Sequence, residues 1–228
     1  MCGRYTLRTA PAEFWPADQL ALFVPRYNIA PSQPVAAVRQ HDGRPQLAQL
    51  RWGLIPSWSK DEKIGYRTIN ARAESITQKP AFRSAFQCRR CLILADGFYE
   101  WKPDGKKKQP YFIHLHKDRP FAFAGLWERW LGPHGNRLQQ PIESCTIITT
   151  VPNQLTSQVH DRMPVILHPQ DHASWLDPEF EDLDRLQALL KPFDADAMES
   201  YPVGSFVNKP SHDGAECVTR VAVQKRLI

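Results

Sequence analysis

The sequence predicts an α+β protein built on a mostly antiparallel, barrel-like β-sheet flanked by short helices. Twenty prolines among 228 residues favour many short elements, because proline interrupts a helix interior. The apolar runs 91–95 and 144–150 are typical of buried strands. The turn 41–44 between two strand-like segments predicts a hairpin. No repeat or linker divides the chain, so we expect a single domain over residues 1–228.

The individual elements follow from apolar spacing and from turn residues. Residues 11–24 show helical spacing, with Phe14, Leu20 and Phe23 facing inward. Asn28 to Pro31 is predicted to be a loop, since the residue before a proline favours extended backbone. The other predicted strands are 35–39, 46–52, 91–95, 111–115, 121–127, 144–150, 165–167, 203–208 and 218–223. The other predicted helices are 73–86, broken at Pro80, then 169–176 and 181–190.

The composition limits the class of protein. The chain carries 29 basic and 24 acidic residues, a net charge of +5, which permits a nucleic-acid partner without requiring one. The chain has no apolar run of about 18 residues, so no membrane-spanning helix is expected. The first residues do not resemble a signal peptide. Five cysteines without a dense framework favour free thiols in a reducing cytoplasm. The lone pair Cys88 and Cys91 is interpreted as structural thiols, and we predict no metal site, no cofactor and a monomer.

The first candidate for chemistry is Cys2. If Met1 is removed, Cys2 carries a free α-amine and a thiol two carbons apart, with ordinary pKa values of about 8 and 8.5. The amine can form an imine with an aldehyde, after which the thiol can close a five-membered thiazolidine ring. The thiol alone can instead attack an amide or ester carbonyl. A buried residue without a chemical role is the competing interpretation.

Three further positions combine polar chemistry with a suggestive context. Asn70 and Arg72 precede a predicted helix and could bind an anion there, although Asn70 could equally be an N-cap. Glu100 lies between two aromatic residues, so a carboxylate facing inward would have a raised pKa suited to acid–base work; an outward-facing edge glutamate is the alternative. His160 lies in a polar loop before a strand, which favours function over a structural hydrogen bond.

Two loops carry unusual composition. Residues 53–59 contain Leu54, Ile55, Pro56 and Trp58, which predicts either a core plug under the loop or an apolar wedge that stacks on bases. Residues 102–109 contain four lysines and are interpreted as a solvated hairpin tip.

Six separated motifs occur in order along nearly the whole chain: MCGRY, RYNIAP, WGLIPSW, INARAES, CLILADGFYEWK and HDRMP. Together they resemble the SOS response-associated peptidase (SRAP) family. Residues 132–140 and 179–200 carry no motif.

The resemblance implies covalent capture of abasic sites in single-stranded DNA. It makes Cys2 the nucleophile, with an amine that forms the Schiff base and a thiol that closes the thiazolidine. It implies that Asn70 positions or polarises the reacting group and that Glu100 moves protons during imine formation and its reversal. It also implies that His160 protonates the sugar ring oxygen and helps to open the ring.

The resemblance also implies a set of DNA contacts. Phosphate contacts are expected at Arg4, Arg72 and Arg162, with the loop beside the site at Asn28 and Pro31, a weaker contact at Thr149 and a wedge at Trp58. Members of the family can carry two adjacent tryptophans in that wedge, whereas Trp58 has no tryptophan neighbour.

Three other functions remain open at the level of sequence. Met-Cys-Gly also opens class II glutamine amidotransferases, in which the cysteine attacks an amide. The family name suggests a thiol peptidase that removes its own Met1. A nucleic-acid-binding module with an incidental Cys2 is the third.

Overall fold

The computed structural model describes residues 2–14 and 23–222. Within these residues the chain forms thirteen strands and three short α-helices. In chain order the strands are β1 (Tyr5–Leu7), β2 (Arg26–Ile29), β3 (Pro34–His41), β4 (Arg44–Trp52), β5 (Asn70–Arg72), β6 (Arg90–Ala95), β7 (Gly97–Asp104), β8 (Lys107–Leu115), β9 (Phe121–Trp130), β10 (Ile142–Thr150), β11 (Met163–Pro164), β12 (Ile166–Leu167) and β13 (Met198–Pro202). The helices are α1 (Arg83–Cys88), α2 (His172–Leu176) and α3 (Leu183–Ala188).

Five strands close into a barrel. β3 pairs with β4 and β6, β6 pairs with β9, and β9 pairs with β10, all antiparallel. A parallel pairing of β10 with β4 completes the ring. β5, β11 and β12 attach to β10 or β9. The predicted mostly antiparallel, barrel-like sheet with few short helices is therefore confirmed.

A second sheet carries the amino-terminal strand. Its five strands run in the order β13-β8-β7-β1-β2, and every neighbouring pair is antiparallel. β6 passes directly into β7 through Asp96, so the chain leaves the barrel and enters this sheet at one point. Gly97 is required there, because a Cβ atom at this position would lie 2.2 Å from Cζ of Phe112.

The core fills the barrel and reaches under the second sheet. Its largest fully buried side chains include Trp52, Trp175, Tyr5 and Phe123. Tyr5 from β1 packs edge-on against Trp52 and Phe123 of the barrel, at centroid distances of 5.3 and 5.7 Å. Burial of such aromatic side chains ties the amino-terminal strand to the barrel.

Several predicted elements differ from the structure. Residues 203–208 were predicted to be a strand, but Ser205–Asn208 form a 3₁₀ turn. The strand of that region is β13, at the sheet edge, in a stretch where no strand was predicted. Asn28 lies in β2, because the predicted loop begins only after Ile29. Asn70 lies in β5 and is not an N-cap.

Other predictions hold or fall partly outside the described residues. The 41–44 hairpin joins β3 and β4 as predicted. The predicted helix 11–24, with Leu20, and the predicted strand 218–223 lie partly outside the described residues; Phe14 and Phe23 pack against the core as expected. The five cysteines are free. In the described part of the chain, no helix is long and apolar enough to cross a membrane.

Candidate active site

The segment that carries Cys2 is fixed by the strand pairing of β1. Tyr5 lies opposite Phe98 of β7 on one side and Ile29 of β2 on the other. At the end of β6 the fully buried carboxylate of Asp96 accepts a hydrogen bond from Thr6 Oγ1 at 2.5 Å. It also accepts the backbone N–H groups of Arg8 and Thr9. Because a buried carboxylate with several donors resists displacement, this contact holds the amino-terminal strand in register.

Cys2 is fully buried just before β1. Burial, together with the nearby Glu100 carboxylate, raises the pKa of the Cys2 thiol, so the thiol is protonated at neutral pH. The side-chain amide of Asn70 donates a hydrogen bond to the Cys2 carbonyl oxygen at 2.8 Å. β5 brings Asn70 to this place by pairing in parallel with β10, with Asn70 opposite Ile147.

Glu100 faces inward from β7 and is 2% exposed. Burial raises the pKa of Glu100 to about 7, because desolvation disfavours the carboxylate form. At neutral pH the group therefore exists in both protonation states, as a residue that takes and returns protons must.

His160 approaches Glu100 from the loop before β11. Its Nε2 lies 3.8 Å from Oε2 of Glu100. The backbone N–H of Arg162 donates to Nδ1 of His160 at 3.0 Å, and Oδ1 of Asp161 lies 2.9 Å from the same nitrogen. Nε2 is therefore the ring nitrogen on the side of Glu100. Burial lowers the pKa of His160. Glu100 and His160 are therefore close enough for both to exchange protons with the same ligand bound between them.

A cleft of about 720 Å³ opens over these residues. Gly3, Arg4, Glu100 and His160 line its inner part. The hairpin of β7 and β8 forms one wall, and the 3₁₀ turn Ser205–Asn208 contributes to another. Trp101 and Asn208 join the two walls through a hydrogen bond of 2.8 Å from the indole N–H to the side-chain oxygen.

Arg4 is held by the backbone of the 205–208 turn. Its guanidinium donates to the Val207 carbonyl at 2.8 Å and to Oδ1 of Asn28 at 3.2 Å. Asn28 is fully buried, and its amide nitrogen lies within hydrogen-bond distance of the carbonyl oxygens of Val207, Lys209 and His212. Asn28 thus shapes the wall of the cleft and orients Arg4, and its own amide has no hydrogen directed to the cleft.

Comparison with known proteins places the chain in a family. A family model for SOS response associated peptidase (SRAP) matches residues 1–210. The chain belongs to the SRAP family. The Bacillus subtilis (strain 168) protein named abasic site processing protein YoqW is 48% identical over 225 residues, covering 96% of this chain and 99% of that protein. The Xenopus tropicalis protein named abasic site processing protein HMCES is 29% identical, covering 99% of this chain and 80% of that protein. A crystal structure of a Bacteroides thetaiotaomicron protein superposes with a TM-score of 0.83 at 28% identity, covering 97% of this chain and 100% of that one.

In this SRAP chain Gly3, Arg4, Glu100 and His160 line one cleft. Cys2 is buried next to Gly3 and is joined to Asn70 by a hydrogen bond. Asn70, Glu100 and His160 lie far from Cys2 in the sequence, in β5, in β7 and in the loop before β11. In residues 2–14 and 23–222, no three His, Cys, Asp or Glu side chains converge as metal ligands.

Three of the predicted DNA contacts form a second group. Arg72 is exposed and lies opposite Thr149 in the pairing of β5 with β10. Arg162 is 9% exposed, and its guanidinium donates to both carboxylate oxygens of Glu74 at 2.6 and 3.0 Å. It also donates to the Thr149 carbonyl at 2.6 Å. Thr149 itself is fully buried. Arg162 would therefore exchange the Glu74 carboxylate for a phosphate if it binds DNA.

The loop 53–59 is partly buried in the core and partly exposed to solvent. Leu54 and Ile55 are fully buried, so they belong to the core and cannot serve as part of a wedge. Trp58 is 59% exposed and borders a separate cavity with Leu131. Pro31 lies in the turn after β2 and does not line the cleft. The DNA contacts at Trp58 and Pro31 stay predictions.

The hairpin 102–109 contains cleft residues that the sequence did not reveal. Its interpretation as a solvated tip describes Lys106 at the turn. Lys107 and Lys108 are exposed as well, and they line the cleft together with Trp101. A run of lysines was visible in the sequence, but only the fold shows that two of them line the cleft that Glu100 also lines.

Proposed function

We propose that this protein captures abasic sites in single-stranded DNA by forming a covalent bond through Cys2. The observation that carries the proposal is the grouping of polar residues around Cys2. Asn70 is hydrogen-bonded to the Cys2 carbonyl, and the Glu100 carboxylate is close enough to raise the pKa of the thiol. Glu100 and His160 lie together in an open, basic cleft. An abasic sugar is a hemiacetal in equilibrium with a little aldehyde. Its capture needs an acid that opens the ring, a nucleophile and a group that relays protons, and these residue types supply all three.

The first step is ring opening. In its imidazolium form His160 gives the Nε2 proton to the sugar ring oxygen while the C1′ hydroxyl loses its proton. The ring C–O bond then breaks, the C1′ aldehyde forms and a neutral imidazole remains. Glu100, with a pKa of about 7, is the acceptor for the hydroxyl proton. Its place beside His160 keeps both proton transfers within one cleft.

The second step is imine formation at the freed α-amine of Cys2. The amine attacks C1′ and gives a carbinolamine, and Glu100 returns a proton to the hydroxyl that leaves as water. The hydrogen bond from Asn70 to the Cys2 carbonyl fixes the residue that carries the amine, which lowers the entropic barrier to attack.

The third step closes the thiazolidine. The Cys2 sulfur bonds to C1′ of the imine, and the thiol proton moves to the nitrogen. The raised pKa of the buried thiol supports this order, because an amine with an ordinary pKa of about 8 is the better first nucleophile. The same raised pKa disfavours the peptidase and amidotransferase alternatives, in which a thiolate must attack an amide first.

The proposal includes the removal of Met1, since an amide nitrogen at Cys2 cannot form an imine. It also includes a monomer as the active form, acting on one DNA strand.

A denaturing gel tests the proposal. The protein is incubated with a single-stranded oligonucleotide that contains one abasic site, and with the undamaged oligonucleotide as a control. We expect a heat-stable shifted band only with the abasic strand and not with the Cys2→Ala variant. The Cys2→Ser variant retains the amine and should give a band that is lost on heating. A wild-type protein that gives no band, or a Cys2→Ala variant that gives the same stable band, would contradict the proposal.

A further inference from the structure

One wall of the cleft carries two lysines whose role is not yet assigned. Lys107 and Lys108 begin β8 and line the cleft together with Arg4 and Glu100. β7 separates β8 from β1 in the sheet order, so the lysines and Arg4 approach the cleft from different strands. Both lysines are exposed, and their ammonium groups can therefore meet a ligand from solvent.

The charge of these lysines is not neutralised within the fold. Among the described residues neither lysine forms a salt bridge, although Asp104 lies opposite Lys107 in the strand register. Arg162 differs, since Glu74 already occupies its guanidinium. The lysine wall is thus a ready positive surface, whereas the Arg162 site must first lose a carboxylate.

Lys108 also lies near the reacting groups. Burial raises the pKa of Glu100 and lowers the pKa of His160, and the charge of Lys108 adds a smaller lowering contribution to both. Charge effects of this kind weaken steeply with distance and with solvent screening. A ligand atom bound by Lys108 would lie in the same cleft as the carboxylate and the imidazole.

The chemistry of the proposed substrate indicates what this ligand is. An abasic nucleotide has no base to stack or to hydrogen-bond, so its sugar is positioned by the phosphates on either side. A phosphodiester carries one negative charge, and a lysine is a compact, flexible partner for it.

We propose that Lys107 and Lys108 form a phosphate-binding wall that holds the phosphodiester next to the captured abasic sugar. The inference rests on the proposed function, and it adds a binding site to that function. The wall works with Arg4 to place C1′ over Cys2, and Trp101, which also lines the cleft, provides a flat surface for the neighbouring sugar or base.

The salt dependence of DNA binding tests this inference without covalent chemistry. Affinity is measured in the Cys2→Ala background at several salt concentrations, with Lys107→Gln, Lys108→Gln or Lys106→Gln added. The strand carries a tetrahydrofuran analogue of the abasic site, which has no C1′ hydroxyl and so cannot form an imine with the α-amine that remains. Lys106 is the matched control, because it is exposed at the same turn but does not line the cleft. Each lost phosphate contact should reduce the slope of log affinity against log salt by about 0.7. We expect that reduction for Lys107→Gln and Lys108→Gln, no change for Lys106→Gln, and a slope restored by Lys108→Arg.

The outcomes separate the two proposals. If Lys107→Gln and Lys108→Gln give the same slope as Lys106→Gln, the phosphate wall is wrong, whether or not the wild type forms crosslinks. If the wild type forms no crosslink while these slopes fall as expected, the capture reaction is wrong and the phosphate wall stands. Equal melting temperatures for the four variants check that the substitutions leave the fold intact.

Discussion

Replacing Glu100 with glutamine should make the protein more stable at high pH and less reactive. Glu100 is nearly fully buried, and burial raises its pKa from 4.5 to about 7. In the unfolded chain the carboxyl keeps an ordinary value. The neutral acid is therefore favoured by folding, and its contribution to stability is present below the unfolded pKa and is lost as pH rises toward 7. Glutamine has a similar shape and no charge to desolvate.

The expected size follows from linkage between protonation and folding. The rise in the pKa of Glu100 from 4.5 to about 7 means that this group lowers the free energy of unfolding at high pH. The loss is about 3 kcal/mol at pH 8 and about 1 kcal/mol at pH 5. The difference in unfolding free energy between Glu100→Gln and the wild type should thus grow by about 2.5 kcal/mol from pH 5 to pH 8, in favour of the variant. For a chain of this size that is a growth of roughly 5–10 °C in the melting-temperature difference.

Thermal denaturation of both proteins at pH 5 and pH 8 measures this growth. Taking the difference between the two pH values cancels any pH-independent effect of the glutamine. Glu179→Gln, which changes an exposed carboxylate, is the control and should shift the melting temperature equally at both pH values. If Glu100→Gln also shifts it equally at both, Glu100 is not desolvated and its assignment as the proton relay loses its physical basis. If the same variant also crosslinks more slowly, the carboxylate that lowers stability at high pH is the group that the reaction uses.

Three further predictions concern single contacts. Asn70→Ala removes the hydrogen bond to the Cys2 carbonyl. Since one hydrogen bond contributes about 0.5–1.5 kcal/mol, crosslinking should slow by roughly 2- to 13-fold, while noncovalent DNA affinity stays the same. A loss of affinity without a slower reaction would make Asn70 a binding residue. Glu74→Gln frees Arg162 and should tighten DNA binding by up to about fivefold; weaker or unchanged binding in a fluorescence titration would argue against a phosphate contact at Arg162. Gly97→Ala places a Cβ against Phe112 and should lower the unfolding free energy by about 1–3 kcal/mol in urea, and an unchanged midpoint would contradict the close packing.

The barrel was predictable because its strands leave clear local patterns. The buried runs in β6 and β10 and the turn between β3 and β4 follow from residue types alone. β13 was missed because it is an edge strand with mostly half-exposed residues, which gives no alternation between buried and exposed positions. The segment 203–208 was assigned as a strand from its apolar residues, but only Val203 and Val207 there are buried.

The site was only partly predictable from the residues themselves. Local sequence proposed the chemistry of Cys2 and Glu100 but left each with a bland alternative. The contact that joins Asn70 to Cys2 spans 68 residues of sequence, and spacing says nothing about such a pairing. The resemblance to the SRAP family supplied the grouping, and the strand register supplied the cleft. Neither the local sequence nor the family resemblance pointed to Lys107 and Lys108, because a lysine run at a hairpin has the same composition whether it faces solvent or a substrate.

Mass spectrometry of the crosslinked protein tests the central claim most directly. After digestion of protein and DNA, the account predicts a remnant of the abasic nucleotide on a peptide that begins at Cys2, without Met1. That peptide should be lighter by one water than the sum of its parts, should resist borohydride reduction and should carry no free thiol at Cys2, as a thiazolidine requires. A remnant on Lys108 or another side chain, a retained Met1, or a Cys2 thiol that still reacts with an alkylating agent would contradict it.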